Sequence, residues 1–187
     1  MTILAISTSS PALSIALIAG DRVIARHHEL IGRGHAEALV PAVQALLQGR
    51  VPEEVRIDVG PGSYTGIRIG IAAARALGLA WGVPVHGIGA LQLVAAAAFA
   101  ADPALPAVLA LIDAGRGHAA GGTLGRDLAA PVPAIIAALP ADAVVAGAGA
   151  LLLGAAAARH GDHPDAAWAG LVPSAVLMPP TALYAGE

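Results

Sequence analysis

The chain has 187 residues, no cysteine and a net charge of −3, and all ten of its basic residues are arginine. The lack of cysteine excludes disulfide frameworks, thiolate zinc sites and cysteine nucleophiles, and fits a reducing, cytoplasmic setting. No tract of five or more basic residues exists, which argues against nucleic-acid binding by the chain alone, because neutralising phosphates needs clustered cations.

Residues 3–7 (ILAIS) form an apolar strand that runs into a polar corner, Thr8-Ser9-Ser10-Pro11. Residues 13–19 and 22–28 add two more strands across the Gly20-Asp21 hairpin signal, so three antiparallel strands open the chain. This alternating start has no basic leader and is not read as a signal peptide. Gly32-Arg33-Gly34 links to a helix beginning near His35. Its apolar face comprises Ala36, Leu39, Val40, Val43, Leu46 and Leu47, and Pro41 kinks it or begins its main segment. A strand over 55–59 and the tight turn Gly60-Pro61-Gly62-Ser63 come next. Ser63 is suited to N-cap a helix over 64–80.

A strand over 83–86 and a helix over 89–101 complete a first unit, residues 1–102. The stretch Ala76–Ala101 is free of Asp, Glu, Lys and Arg, but it contains Pro84, His86 and four glycines. It reads as strand plus helix, and no membrane span is expected. The pattern restarts near Asp102-Pro103 with a strand over 107–113, a hairpin over 115–124, a strand over 143–146 and an alanine-rich helix over 149–159. These form a shorter second lobe, residues 103–187.

The Gly60–Gly66 segment joins a strand to a helix, where backbone N–H groups and the helix dipole can receive an anion. Its G-x-G-x-x-x-G spacing fits neither the dinucleotide fingerprint nor a Walker loop, so a turn that merely needs positive φ is the better reading. On the helix that follows, Arg68 and Arg75 project about 20° apart with Tyr64 near them. Gly66, Gly70, Ala74 and Gly78 form a ridge of small residues flanked by Ile67 and Ile71, and Ile69, Ala76 and Ala80 lie opposite. One side can pack on the chain's own sheet while the ridge admits a foreign helix; the alternative is that both sides are buried within one chain. His35-Ala36-Glu37 has the H-x-E spacing of a zinc deaminase but no cysteine to complete it. His160 and His163 form a polar loop rather than a metal clip. No nucleophile elbow, paired catalytic carboxylates or H-E-x-x-H motif is present.

These segments resemble the TsaB (YeaZ) family, accessory subunits in threonylcarbamoyladenosine formation on tRNA. The likeness is carried by ILAISTSSPALSIALIAGD, by GHAEALVPAVQALL and above all by VGPGSYTGIRIGIAAARALGLAWGVPVHGIGAL, with weaker echoes in ALIDAGRGH, VVAGAGA and PPTALY. It implies an α/β, actin-like (ASKHA, ribonuclease H-like) fold with one full lobe and a short second lobe. It also implies a cytoplasmic, non-catalytic subunit with no membrane contact. Its partners would be a TsaD-type catalytic subunit and the associated TsaE-type ATPase, with tRNA met only indirectly and a homodimer formed alone. The implied interface comprises His35, Leu39, Val43, Leu46, Tyr64, Gly66, Ile67, Gly70, Ile71, Ala74 and Gly78. Arginine at Gly70 would then block docking and leave the domain folded.

The catalytic relative holds its metal with H-x-x-x-H, but Leu39 follows His35 here, so no metal site is implied. Ser7 stands where the family usually opens with aspartate, which argues against intrinsic ATP hydrolysis. Any nucleotide contact would fall on Ser7, Thr8, Ser9, Gly60, Gly62 and Ser63, with ATP or ADP bound only in the assembled complex. A glycoprotease-like peptidase lacks a nucleophile–base or metal pair. An actin-fold phosphotransferase lacks the first-strand carboxylate and a complete second lobe.

Overall fold

The computed structural model describes residues 1–155 and 162–185. Strands β1 (Thr2–Ser7), β2 (Ala12–Ala19) and β3 (Arg22–Leu30) pair antiparallel. Strands β4 (Glu54–Asp58) and β5 (Val85–Ile88) add in parallel, giving the order β3-β2-β1-β4-β5. Helix α1 (His35–Leu47) links β3 to β4, and α2 (Tyr64–Trp81) links β4 to β5.

Alternation along β1 explains its unbroken apolar run. Leu4 and Ile6 face the layer of α1 and α2, with Leu39, Val43, Ile57 and Ile67. Ile3 and Ala5 face the opposite layer, where α3 (Ala90–Ala101) lies. A strand buried on both faces cannot alternate apolar with polar. Helix α3 is buried nearly all round because it lies between the first sheet and a second one. Its buried Gln92 is satisfied, accepting from Gly89 N at 2.7 Å and donating to the Leu128 carbonyl at 2.7 Å.

The second sheet has the order β8-β7-β6-β9, formed by β6 (Ala107–Asp113), β7 (Ala119–Gly125), β8 (Ala134–Ile136) and β9 (Val145–Ala146). Its central β6 has an antiparallel neighbour on one side and a parallel one on the other, as β1 does in the first sheet. The repeat of that pattern, complete once and abbreviated once, is the actin-like fold expected from the sequence. The abbreviated sheet has four strands against five.

The chain's last part departs from the expected division. A 3-10 turn at Ala166–Leu171 returns to the first sheet, where Arg56 Nη1 donates to the carbonyls of Ala169 and Val172, both at 2.8 Å. Residues 103–187 are therefore not a self-contained lobe. The expected helix over 149–159 is described only as α4 (Gly149–Leu152); residues 153–155 are not helical, and 156–159 lie outside the described residues. Strand β8 and the 3-10 turn were not foreseen, because three residues between prolines, or a short alanine-rich loop, carry no periodic signal.

Candidate functional site

Helices α1 and α2 lie side by side on one face of the first sheet, and their wheels show what each presents. On α1, His35, Leu39, Val43, Leu46 and Leu47 point inward. His35 Nε2 lies 3.4 Å from the Ala12 carbonyl. Ala36 and Val40, expected on the buried face, are exposed instead, Val40 by 41%.

The small-residue ridge of α2 points the opposite way from the sequence expectation. Gly66, Gly70, Ala74 and Gly78 are all buried against the chain's own sheet. A Cβ added at Gly66 would come 2.0 Å from the Thr8 carbonyl oxygen, at Gly70 2.4 Å from Thr8 Oγ1, and at Gly78 2.3 Å from Val85 Cγ2. The glycines are there so that α2 can lie close on β1, β4 and β5. Of the residues assigned to an interface, only Tyr64 is exposed, by 54%. His35, Leu39, Val43, Leu46, Gly66, Ile67, Gly70, Ile71, Ala74 and Gly78 are core. The outward face of α2 is the one assigned to the sheet. Thr65, Ala72, Ala76 and Ala80 are exposed, Leu79 is 86% exposed and Ile69 is half-buried. With Ala36 and Val40 of α1 it forms a shallow apolar surface of mostly small side chains.

The corner between β1 and β2 was the expected phosphate contact, and it is closed by a carboxylate instead. Asp58, at the end of β4, is fully buried. Ser7 and Ser9 donate their hydroxyls to its Oδ2 at 2.6 and 2.5 Å, and Gly60 N donates to Oδ1 at 2.8 Å. Burial pushes this carboxyl above the usual range, and the three hydrogen bonds oppose that rise. Thr8 donates to the Gly66 carbonyl at 2.8 Å, and Ser63 N donates to the Ser9 carbonyl at 2.6 Å. The hydroxyls of Ser7, Thr8 and Ser9 and the N–H of Gly60 are therefore engaged within the chain. Gly62 packs against Ser9, and Ser63 caps α2 by accepting from Gly66 N at 3.2 Å.

Asp58 was missed because its partners lie about fifty positions earlier in the chain. The parallel pairing of Ile6 with Ile57 is what places Ser7 beside it. Above this corner, a cleft of about 750 Å³ opens between α1, α2 and the β6–β7 turn. Arg33 and Arg116 line it together with Glu37 and Asp113, a balanced set that does not select an anion. Among the described residues, no group of three His, Cys, Asp or Glu is arranged to hold a metal. His160 lies outside the described residues. His163 is a half-buried imidazole whose pKa is lowered by burial.

Residues 177–185 run as a strap beside α2. Met178 bridges Gly87 of β5, and Leu183 N donates to the Val59 carbonyl at 2.7 Å. Tyr184 stacks on Tyr64 with centroids 5.2 Å apart. Arg75 Nη2 donates to the Pro180 carbonyl at 2.7 Å, and Arg68 Nε to the Tyr184 hydroxyl at 3.3 Å. The PPTALY segment thus has a structural place that sequence periodicity could not supply.

Residues 25–131 match the family model of TsaD, tRNA N6-adenosine threonylcarbamoyltransferase. The chain is similar to the tRNA threonylcarbamoyladenosine biosynthesis protein TsaB of Bacillus subtilis, 39% identical over 101 residues, covering 51% of this chain and 44% of that protein. It is similar to the Escherichia coli protein of the same description, 38% identical over 123 residues, covering 63% and 52%. The chain thus spans about half the length of the curated relatives it matches. A solved structure of YeaZ from Pseudomonas aeruginosa superposes with a TM-score of 0.76 at 28% identity, covering 91% of this chain and 89% of that one.

Proposed function

We propose a function on this premise: the chain belongs to the TsaB (YeaZ) family. It is a non-catalytic subunit that docks a TsaD-type catalytic subunit and supports threonylcarbamoyladenosine formation on tRNA. The observation that carries the reading is the outward face of α2. A helix exposing Thr65, Ile69, Ala72, Ala76, Leu79 and Ala80 beside Ala36 and Val40 of α1 leaves apolar surface in water. Side chains this small let a second pair of helices approach closely.

The absence of an enzymatic role is supported by the chemistry of the nearest candidate centre. Asp58, the buried carboxylate beneath the β1–β2 corner, is sealed by Ser7, Ser9 and Gly60 and is not exposed to a substrate. ATP or ADP is accordingly a ligand of the assembled complex alone, with a TsaE-type ATPase as a further member and tRNA met through the partner. The setting is the cytoplasm; no described helix is long and apolar enough to cross a membrane. Self-pairing through the same α1/α2 face is the state of the chain without its partner.

Reconstitution tests this reading. The TsaD-type subunit of the same organism, with the ATPase and substrates supplied, should form the modified adenosine only when this chain is added, and the chain alone should form none. Equal product without the chain, or product from the chain alone, would overturn the proposal.

A further inference from the structure

The face just described has one edge made by α1, and its other edge carries Arg68 and Arg75, each held by the C-terminal strap. The strap's seat is built into the fold. A Cβ at Gly87 would lie 2.6 Å from the Pro179 carbonyl oxygen, and one at Gly60 2.6 Å from that of Leu183. Side chains are absent at both places where the strap's backbone comes closest.

What the strap does to the arginines is specific. Arg75 is fixed by a carbonyl, and Arg68 by a phenol and by the Tyr64 ring, whose centroid lies 3.8 Å from its Cζ. All of these partners are neutral. Among the described residues neither guanidinium makes an ion pair, and α2 contains no acidic residue. Each arginine is therefore positioned by neutral contacts with its charge intact and, among the described residues, several N–H donors unused. Seven residues apart, their backbone positions are about 10 Å apart along the helix, two turns, on one line.

Resting on the docking reading above, we infer that the surface received by α1 and α2 carries carboxylates along the edge that meets Arg68 and Arg75. A cation already positioned gives up less conformational freedom when it pairs, so orienting both in advance favours acidic groups at matching spacing. The same charges steer an acidic-edged partner during encounter and favour it over the self-pairing that the same face allows. The apolar face supplies the contact, and the arginine edge selects which partner takes it and in which direction.

The test titrates the full-length chain with the TsaD-type subunit of the same organism, comparing the native chain with Arg75→Glu, Arg75→Gln and Ala76→Arg, at about 0.05 and about 0.3 M salt. Arg75 is exposed, so its variants should melt with the native chain. Arg75→Glu should weaken binding about tenfold, and Arg75→Gln about threefold with a flatter salt dependence than the native chain. If Ala76→Arg abolishes binding while both Arg75 variants bind like the native chain, the docking face stands and the acidic edge does not. If Ala76→Arg binds normally, or the native chain does not bind at all, the docking reading fails and takes this inference with it. A self-associated chain that the TsaD-type subunit fails to displace, at either salt concentration, would assign the face to a second copy alone and overturn the acidic edge.

Discussion

Substituting Gly70 by arginine is expected to leave the chain largely unfolded, rather than folded and unable to bind. At Gly70 the first added carbon already meets Thr8 Oγ1 at 2.4 Å and Ile57 Cδ1 at 2.9 Å. Both belong to the packed sheet, and Thr8 is held by its bond to the Gly66 carbonyl. The remaining arginine atoms would have to displace α2 or bury an unpaired charge. Overpacking combined with an unpaired buried charge belongs to the rare class of changes costing more than about 4–5 kcal/mol. Marginal domain stability, about 5–15 kcal/mol in total, leaves little after that loss. Circular dichroism and thermal melting check this, and a cooperative melt near the native temperature would contradict the inward ridge.

Arg56→Ala should cost about 3–5 kcal/mol, the penalty for breaking a buried ion pair by removing one partner. Arg56 is 2% exposed and Glu54 6%. Arg56 Nε donates to Glu54 Oε1 at 2.8 Å, and its Nη1 reaches two carbonyls of the returning segment. Truncation strands one carboxylate and two carbonyls away from water and also loosens the tie between β4 and the 3-10 turn. At about 2–4 °C per kcal/mol for a chain of this size, the melting temperature should fall by about 10 °C. The paired change Glu54→Gln with Arg56→Met should recover part of the loss, since it leaves no unpaired charge although the Ala169 and Val172 carbonyls stay without their donor. A melt within a degree or two of native for Arg56→Ala would mean that this pair holds nothing together.

The fold was legible where periodicity is strong. The run ILAIS, the Gly20-Asp21 hairpin and Ser63 ahead of α2 read directly into β1, the β2–β3 turn and an N-cap. The inward side of α2 was not legible, because both of its sides are apolar and a 3.6-residue period cannot tell one from the other. The distinction lies in what the small residues meet. Gly66, Gly70 and Gly78 are tailored to Thr8, Ile57 and Val85, residues that only the folded sheet brings there. The outward alanines have no such neighbours. Asp58 and Tyr184 were missed for a related reason, since Ser7, Ser9, Tyr64 and Arg68 lie far from them along the chain. In each case the element could be read and its long-range partner could not.

One measurement separates an outward docking face from an inward ridge most directly, and the chain's lack of cysteine makes it clean. Single thiols at Ala76→Cys and Ala74→Cys can be alkylated and followed by mass spectrometry, with and without the TsaD-type subunit. Cys at 76 should react freely in the lone chain and be protected in the complex, whereas Cys at 74 should be shielded in both. Rapid labelling at 74 in the folded lone chain, or unchanged labelling at 76 once the complex has formed, would contradict the account.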